Sequence, residues 1–373
     1  MTVAMLHHER TLRWEMVDAL PTGVPTVTLE VPQPKAVRSL FHRVDVRALV
    51  RMRSQREIPI RHRVAAAQLR DTGAEVLLAT DREVAFLNNM AELCPDVQQI
   101  LIGHGVIVPL LAGRLRITRA YANRTFCVWS QREVALVKKY APEHLRVVAM
   151  GSLRNAAYIS SLGSSGCSQP SPADQICLVS SFVGKQKEDQ RKARRDERWV
   201  LRDSLLGAVR QISLTWNLPI VVALKPQTMY SYQEGESQKW IDERLYFLNG
   251  LAGCELSFTN PSDRFSSYRV VDRSLATFGL FAGTLIEGFG RGNPAISVGI
   301  SRIDDDFGAL PTKFHLSEQN DKDLRQWSPE RLGERRAWLG GDSGQTARAH
   351  YLASANTDSP ILEVQRLIAS HLS

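Results

Sequence analysis

Four apolar runs of this sequence end in residues able to do chemistry. "QILIGHG" closes on Gly103-His104-Gly105. Glycines on both sides let the backbone approach a ligand closely, and a histidine between them can move a proton or bind a phosphate. A turn histidine with no chemical role is the plainer reading. "VVAMGSLRN" ends in Gly151-Ser152, followed by Arg154 and Asn155. A small-residue turn before a helix start offers N–H groups and the positive end of the helix dipole to an anion. "ICLVSSF" ends in Ser180-Ser181 with Lys185 close behind, which suits phosphate but is unspecific. "IVVALKPQ" ends in Lys225-Pro226-Gln227. A cation there can pair with a diphosphate or a substrate carboxylate, or simply run its ammonium out to solvent.

The densest stretch is "VVDRSLATFGLFAGTLIEGFGRGNPAISVG", residues 270–299. Its short strand brings the chain to Gly283-Thr284, a helix start whose amides suit a phosphate. Glu287 follows three residues after Thr284, so both fall on one helix face. A carboxylate there accepts two hydrogen bonds, which suits a ribose diol. Glu287 reaching back from N3 as half of a capping box is the alternative, and the two roles are compatible.

The elements that must carry these residues alternate with regular rhythm. "EVLLATD", "QQILIGHGV", "RTFCVWS" and "LRVVAMGS" read as strands, and "EVAFLNNMAELC" and "QREVALVKKYA" as helices, the second with Ser130 as N-cap. "VPTVTLEV" reads as the opening strand, and 44–71 as a helical region with a basic face. Residues 160–174, "SSLGSSGCSQPSPAD", are Ser, Gly and Pro with little apolar content and read as a linker. The alternation then restarts with "QICLVSSF", "RWVLRDSLLGAVRQISLTW", "LPIVVALKPQ", "SQKWIDERLYFLNGLAG", "CELSFTN", "SSYRVVDRS", "LATFG" and "PAISVGI". Strands alternating with helices imply parallel sheets. The expected fold is therefore α/β, with two doubly wound Rossmann-type domains facing across a cleft. The boundaries are 1–160 for the first domain, 161–174 for the linker and 175–345 for the second domain. A C-terminal helix at 358–373 crosses back to the first.

At 373 residues, two domains are the natural expectation. The five cysteines have no close pair and no zinc spacing, and they read as thiols in a reducing compartment. His, Glu and Arg break up the first residues, so no signal peptide is expected, and "ILIGHGVIVPLLAG" is too short to span a bilayer. The reading is cytoplasmic. The net charge of +8 is concentrated in nine arginines between 38 and 70 and in "RKARRDER" at 191–198. Such patches are either solvated helix faces or surfaces for anionic partners, here an anionic membrane. Nucleic acid is not expected, because no binding motif or aromatic platform accompanies the charge.

In order and spacing, "GHG" at 103–105, "LKPQ" at 224–227 and "GTLIEGFGRGNP" at 283–294 resemble motifs of two-domain GT-B glycosyltransferases. The likeness is to bacterial surface-carbohydrate transferases: polysialyltransferases, capsule Kdo transferases and CDP-glycerol glycerophosphotransferases. "FCVWSQREVALVKKYAPEHLRVVAMGSLRN" looks like their strand–helix–strand tag, and the resemblance spans roughly residues 70–300. It implies a nucleotide-sugar donor, CMP- or CDP-linked, held by Ser180, Ser181, Lys185, Lys225, Gln227, Gly283, Thr284 and Glu287. Gly103 and Gly105 would also bind the donor, His104 between them would be the catalytic group, and Gly151, Ser152 and Arg154 would hold phosphate. The acceptor would be a glycan or lipid-linked. No cofactor or metal is implied, and the acidic "IDDDFG" at 303–308 reads as a loop. One departure stands out: the family histidine after Lys-Pro is Gln227 here, and glutamine cannot exchange a proton near neutral pH. A UDP-sugar 2-epimerase-like enzyme, or a non-catalytic nucleotide- or glycan-binding protein of this fold, are the rival expectations.

Overall fold

Strands covered on both faces read as near-continuous apolar runs, and parallel sheets are built mainly from such strands. The structure is a computed structural model. It describes residues 2–6, 16–17, 19–29, 57–80, 84–103, 123–140, 145–163, 173–182, 189–190, 193, 197–224, 236–260, 262–280, 282–298, 328–352 and 359–371. The chain forms two compact units, Met1–Ser160 with Thr357–Ser373, and Ser161–Asn356.

The first unit contains β1 (Val3–Leu6), β2 (Thr26–Leu29), α1 (Ile60–Asp71), β3 (Val76–Thr80), α2 (Val84–Leu93), β4 (Gln98–Ile102), β5 (Arg124–Val128), α3 (Gln131–Tyr140), β6 (Arg146–Ala149) and α4 (Leu153–Ser161). Its six strands lie in the order β2-β1-β3-β4-β5-β6, all parallel. Alternate residues of each strand face opposite layers, as the period of two requires. Ala4, Leu77, Leu101 and Phe126 pack with Val64 and Leu69 of α1 and Leu87 and Met90 of α2. Val3, Met5, Val76, Leu78, Ile100 and Ile102 pack with Val364, Leu367 and Ile368 of α11 (Ser359–Ser370), the helix that follows the second unit.

The second unit contains β7 (Ala173–Val179), α5 (Glu197–Trp216), β8 (Ile220–Ala223), α6 (Glu236–Gly250), β9 (Leu256–Phe258), α7 (Ser266–Arg273), β10 (Ser274–Leu280), α8 (Gly283–Gly290), β11 (Ala295–Val298), α9 (Pro329–Gly340) and α10 (Asp342–Tyr351). The order β11-β10-β7-β8-β9 is again wholly parallel. The chain leaves β7 for β8 on one side and returns to β10 on the other, so the strand order reverses at β7/β10.

Three sequence expectations need amendment. The opening strand is Val3–Leu6, and the expected one, Thr26–Leu29, is an exposed edge strand paired to it. The 160–174 linker overlaps structure at both ends, because α4 runs to Ser161 and β7 begins at Ala173. Helices α9 and α10 were not expected. Ser328 caps α9 by accepting from the Arg331 amide, with Pro329 in the first turn. The proposed Ser130 cap is present, since its hydroxyl accepts from the Glu133 amide at 3.3 Å. Glu133 in turn accepts from the Trp129 amide at 2.7 Å.

Among the described residues, no helix is long and apolar enough to cross a membrane. Cys94, Cys127 and Cys177 are buried free thiols. Burial pushes the thiols of both Cys127 and Cys177 up to about 12, which disfavours the thiolate.

Candidate functional site

In open parallel sheets ligands bind at the carboxyl ends of strands where the order reverses. In the second unit that place is the β7/β10 boundary. Val179 pairs with Gly279 of β10 on one side and Ala223 of β8 on the other. The three strand ends picked out by the sequence, leading to Ser180-Ser181, to Lys225 and to Gly283-Thr284, therefore lie side by side.

At the β10 end, glycine is needed for packing. A Cβ on Gly279 would lie 3.1 Å from Leu285 Cδ1 and 3.2 Å from Val179 Cβ. Gly279 thus lets α8 settle onto the strand end with its first turn at the sheet edge. Gly283 and Thr284 are half-buried there. Ala282, the N-cap, offers no side-chain acceptor to the first-turn amides. An anion at this helix start would meet N–H donors and the positive end of the dipole.

Glu287 differs from expectation. It lies two positions beyond N3 of α8, so it is not half of a capping box. Its side chain is 3% exposed, and Oε2 accepts from the Tyr268 hydroxyl of α7 at 2.6 Å. Arg291, bound to Asp272 at 2.8 Å, lies over the Tyr268 ring at 4.9 Å. In this structure the carboxylate joins α8 to α7 and is not presented outward for a ribose diol. Asn293, further along the stretch, is scaffold too. Asn293 Nδ2 donates to Val271 O at 2.6 Å and Ser274 O at 3.0 Å, while its Oδ1 accepts from Thr277 at 2.6 Å.

At the β7 end, Ser180 is 5% exposed and donates its hydroxyl proton to Glu243 of α6. Its oxygen accepts from the Phe182 amide at 3.2 Å. Ser180 is therefore turned into the protein, whereas Ser181 is half-buried and its carbonyl accepts from Arg202 of α5 at 3.4 Å. At the β8 end, the Leu224 amide donates to Thr259 Oγ1 at 2.9 Å and its carbonyl accepts from Ser267 at 3.1 Å. The strand is thus fixed up to the residue before Lys225.

In the first unit, Gly103 follows β4. Its amide donates to Cys127 O at 2.8 Å, and its carbonyl accepts from the Trp129 indole at 3.0 Å. A Cβ there would meet Cys127 O at 3.0 Å, so the neighbouring strand explains this glycine without a ligand. Gly151 takes φ 101°, which favours glycine. Ser152 is 2% exposed and caps α4 by accepting from the Asn155 amide at 3.2 Å. The expected phosphate site at Gly151, Ser152 and Arg154 is thus a self-capped, largely buried helix start. His104, Gly105, Lys185, Lys225 and Gln227 lie outside the described residues.

Glu243, Arg202, Tyr268 and Trp129 were not picked out from the sequence. Two of them left a signal. Arg202 keeps phase with the buried Leu205, Leu206 and Val209, and Glu243 with the buried Phe247. A charge on the apolar side of a helix marks a buried polar contact.

No protein-family model matches the chain, and no curated protein matches it. Its fold is nonetheless shared over its full length with solved structures. One is the UDP-GlcNAc 2-epimerase of Neisseria meningitidis bound to UDP-GlcNAc, at 11% identity and TM-score 0.55, covering 100% of this chain and 99% of that one. Another is S. aureus MnaA in a structure with UDP, at 9% identity and TM-score 0.54, covering 100% and 96%. A third is a glycosyltransferase from Rickettsia africae, at 12% identity and TM-score 0.52, covering 100% and 98%. The fold is therefore of the GT-B type, two Rossmann-like α/β units in one chain, which glycosyltransferases share with UDP-GlcNAc 2-epimerases.

Proposed function

We propose that the chain is a transferase that moves a glycosyl or polyol-phosphate group from a nucleotide-activated donor. The observation that carries this reading is the alignment of three strand ends at the β7/β10 reversal, with the α8 start lacking a side-chain cap. In this reading the donor phosphates lie at Gly283 and Thr284, with Ser181, Lys185 and Lys225 around them. Gln227 contributes a hydrogen bond and no proton transfer. Transfer needs a base for the acceptor hydroxyl and stabilisation of the departing phosphate. His104 is assigned the first task, while the α8 dipole and the lysines take the second. The sequence resemblance favours a CMP- or CDP-linked donor and a glycan or lipid-linked acceptor in surface polysaccharide synthesis. The nine arginines between 38 and 70 would then hold the protein at an anionic membrane.

The second reading is a UDP-sugar 2-epimerase, motivated by the full-length likeness to structures of that activity. One experiment separates the two. Melting is followed with CMP, CDP, UDP and GDP, since a ligand at 100 times its Kd stabilises by about 2.7 kcal/mol. The nucleotide sugar of whichever nucleotide binds is then incubated in deuterated water without acceptor. Deuterium incorporation into the sugar favours the epimerase. Transfer that needs an acceptor and falls at least about a hundredfold in His104→Ala favours the transferase. No stabilisation by any nucleotide refutes both.

A further inference from the structure

Two buried charges from different helices hold the turn that ends β7. Glu243 of α6 is fully buried and accepts the Ser180 hydroxyl proton. Arg202 of α5 is 2% exposed, donates to Ser181 O and lies over the Tyr246 ring of α6 at 5.2 Å. The Ser180 amide donates to Ala223 O at 3.0 Å, and the Phe182 amide returns to Ser180 Oγ. Three successive residues, 180–182, are thus tied down from the neighbouring strand, from α5 and from α6.

Burying a carboxylate and a guanidinium is costly, and well-packed apolar residues usually serve stability as well or better. Leu205, Leu206, Val209 and Phe247 already fill the layer around them. Both charges converge on the turn that leaves β7, at the strand-order reversal. We infer that Glu243 and Arg202 are positioning residues, which hold the 180–182 turn in one geometry so that Ser181 and the backbone of Phe182 meet the donor's phosphates. The inference rests on the donor site proposed above. Ser180 is then no ligand: its proton is committed to Glu243, and its oxygen is also used by Phe182.

The test compares wild type with Ser180→Ala, Glu243→Ala and Glu243→Gln. Binding of CMP, CDP, UDP and GDP is measured by calorimetry, and amide hydrogen exchange across 176–182 is followed without nucleotide. Glutamine keeps an acceptor for the Ser180 proton, so Glu243→Gln should bind within about threefold of wild type. Ser180→Ala and Glu243→Ala should each weaken binding about tenfold, the equivalent of one lost charge-assisted hydrogen bond. The double variant should be no weaker than either single one, because the pair acts as a unit. Exchange should rise at Ser181 and Phe182 while Cys177 and Leu178 stay protected; a purely structural role would loosen the strand as a whole. If Glu243→Ala does not fold, Ser180→Ala, which deletes one oxygen, carries the comparison. Unchanged affinity in folded Ser180→Ala, or weakening matched by loosening of all of β7, overturns the inference. Binding of none of the four nucleotides by wild type overturns the donor site, and this role with it.

Discussion

Replacing Glu287 tests whether the acid of the 283–294 stretch serves the fold or a ligand. Its carboxylate and the Tyr268 ring are each 3% exposed, and the bond between them measures 2.6 Å. Glu287→Ala removes a charged acceptor from a buried phenol. Hydrogen bonds to charged groups contribute about 1.5–3 kcal/mol, and a buried donor deprived of its acceptor adds a desolvation penalty, so we expect a loss of about 2–3 kcal/mol. For a unit of this size that corresponds to roughly 5–10 °C in the second unit's calorimetric transition. Tyr268→Phe should fall in the same range, and the double variant should cost clearly less than the sum. Nucleotide affinity of the folded variants, read by calorimetry at a temperature well below both transitions, should stay within about threefold of wild type. A Glu287→Ala protein that melts with wild type but no longer binds nucleotide would refute this reasoning and return the carboxylate to the ribose.

Three other outcomes follow from the packing. In Gly288→Ala the new Cβ would stand 2.6 Å from Val271 Cγ1, so α8 must move off α7; a loss of about 1–3 kcal/mol, recovered in part by Val271→Ala, is expected in denaturant titrations. Asn293→Ala should cost about 2–3 kcal/mol, because the Thr277 hydroxyl loses its acceptor and the Val271 and Ser274 carbonyls each lose one of their donors in a site 2% exposed; a change under 1 kcal/mol would contradict the bonding described. His62 is held neutral, lowered from 6.5 to about 4 mainly by burial and secondarily by Arg61. The unfolded chain therefore binds the extra proton between those values. Stability of the first unit should be intact above pH 6.5 and decline as pH falls toward 4, and His62→Leu should flatten that slope.

The sequence shows most of the architecture because strands such as Val76–Thr80 and Ile220–Ala223 are buried at every position and so stand out as unbroken apolar runs. Val3–Leu6 did not stand out. Four residues carry no period, and what makes them a strand is the pairing with β2 and β3 on either side. Helices α9 and α10 are dominated by charged and small residues, with only Leu332 and Leu339 of α9 fully buried, so their apolar period is faint. The same limit applies to the site. Strand ends rich in Gly, Ser and Lys are local features and can be read locally. What each side chain touches is not local: Glu287 is met by a tyrosine 19 residues away, and Ser180 by a glutamate 63 residues away. Helical spacing correctly sets Glu287 near Thr284 on α8, but α7 determines that it is buried.

The first unit takes its covering helix from residues that follow the whole second unit, and this bears on synthesis. A ribosome reaches Val364, Leu367 and Ile368 only after translating 161–356, which at about 5–20 residues per second takes roughly 10–40 s. Until then the β1–β3–β4 face formed by Val3, Met5, Ile100 and Ile102 has been made without the helix that covers it in the finished protein. The second unit has its full sequence before the first does. The order of completion is therefore the reverse of the order of translation, and during synthesis the first unit passes through a stage in which this apolar face lacks its final helix.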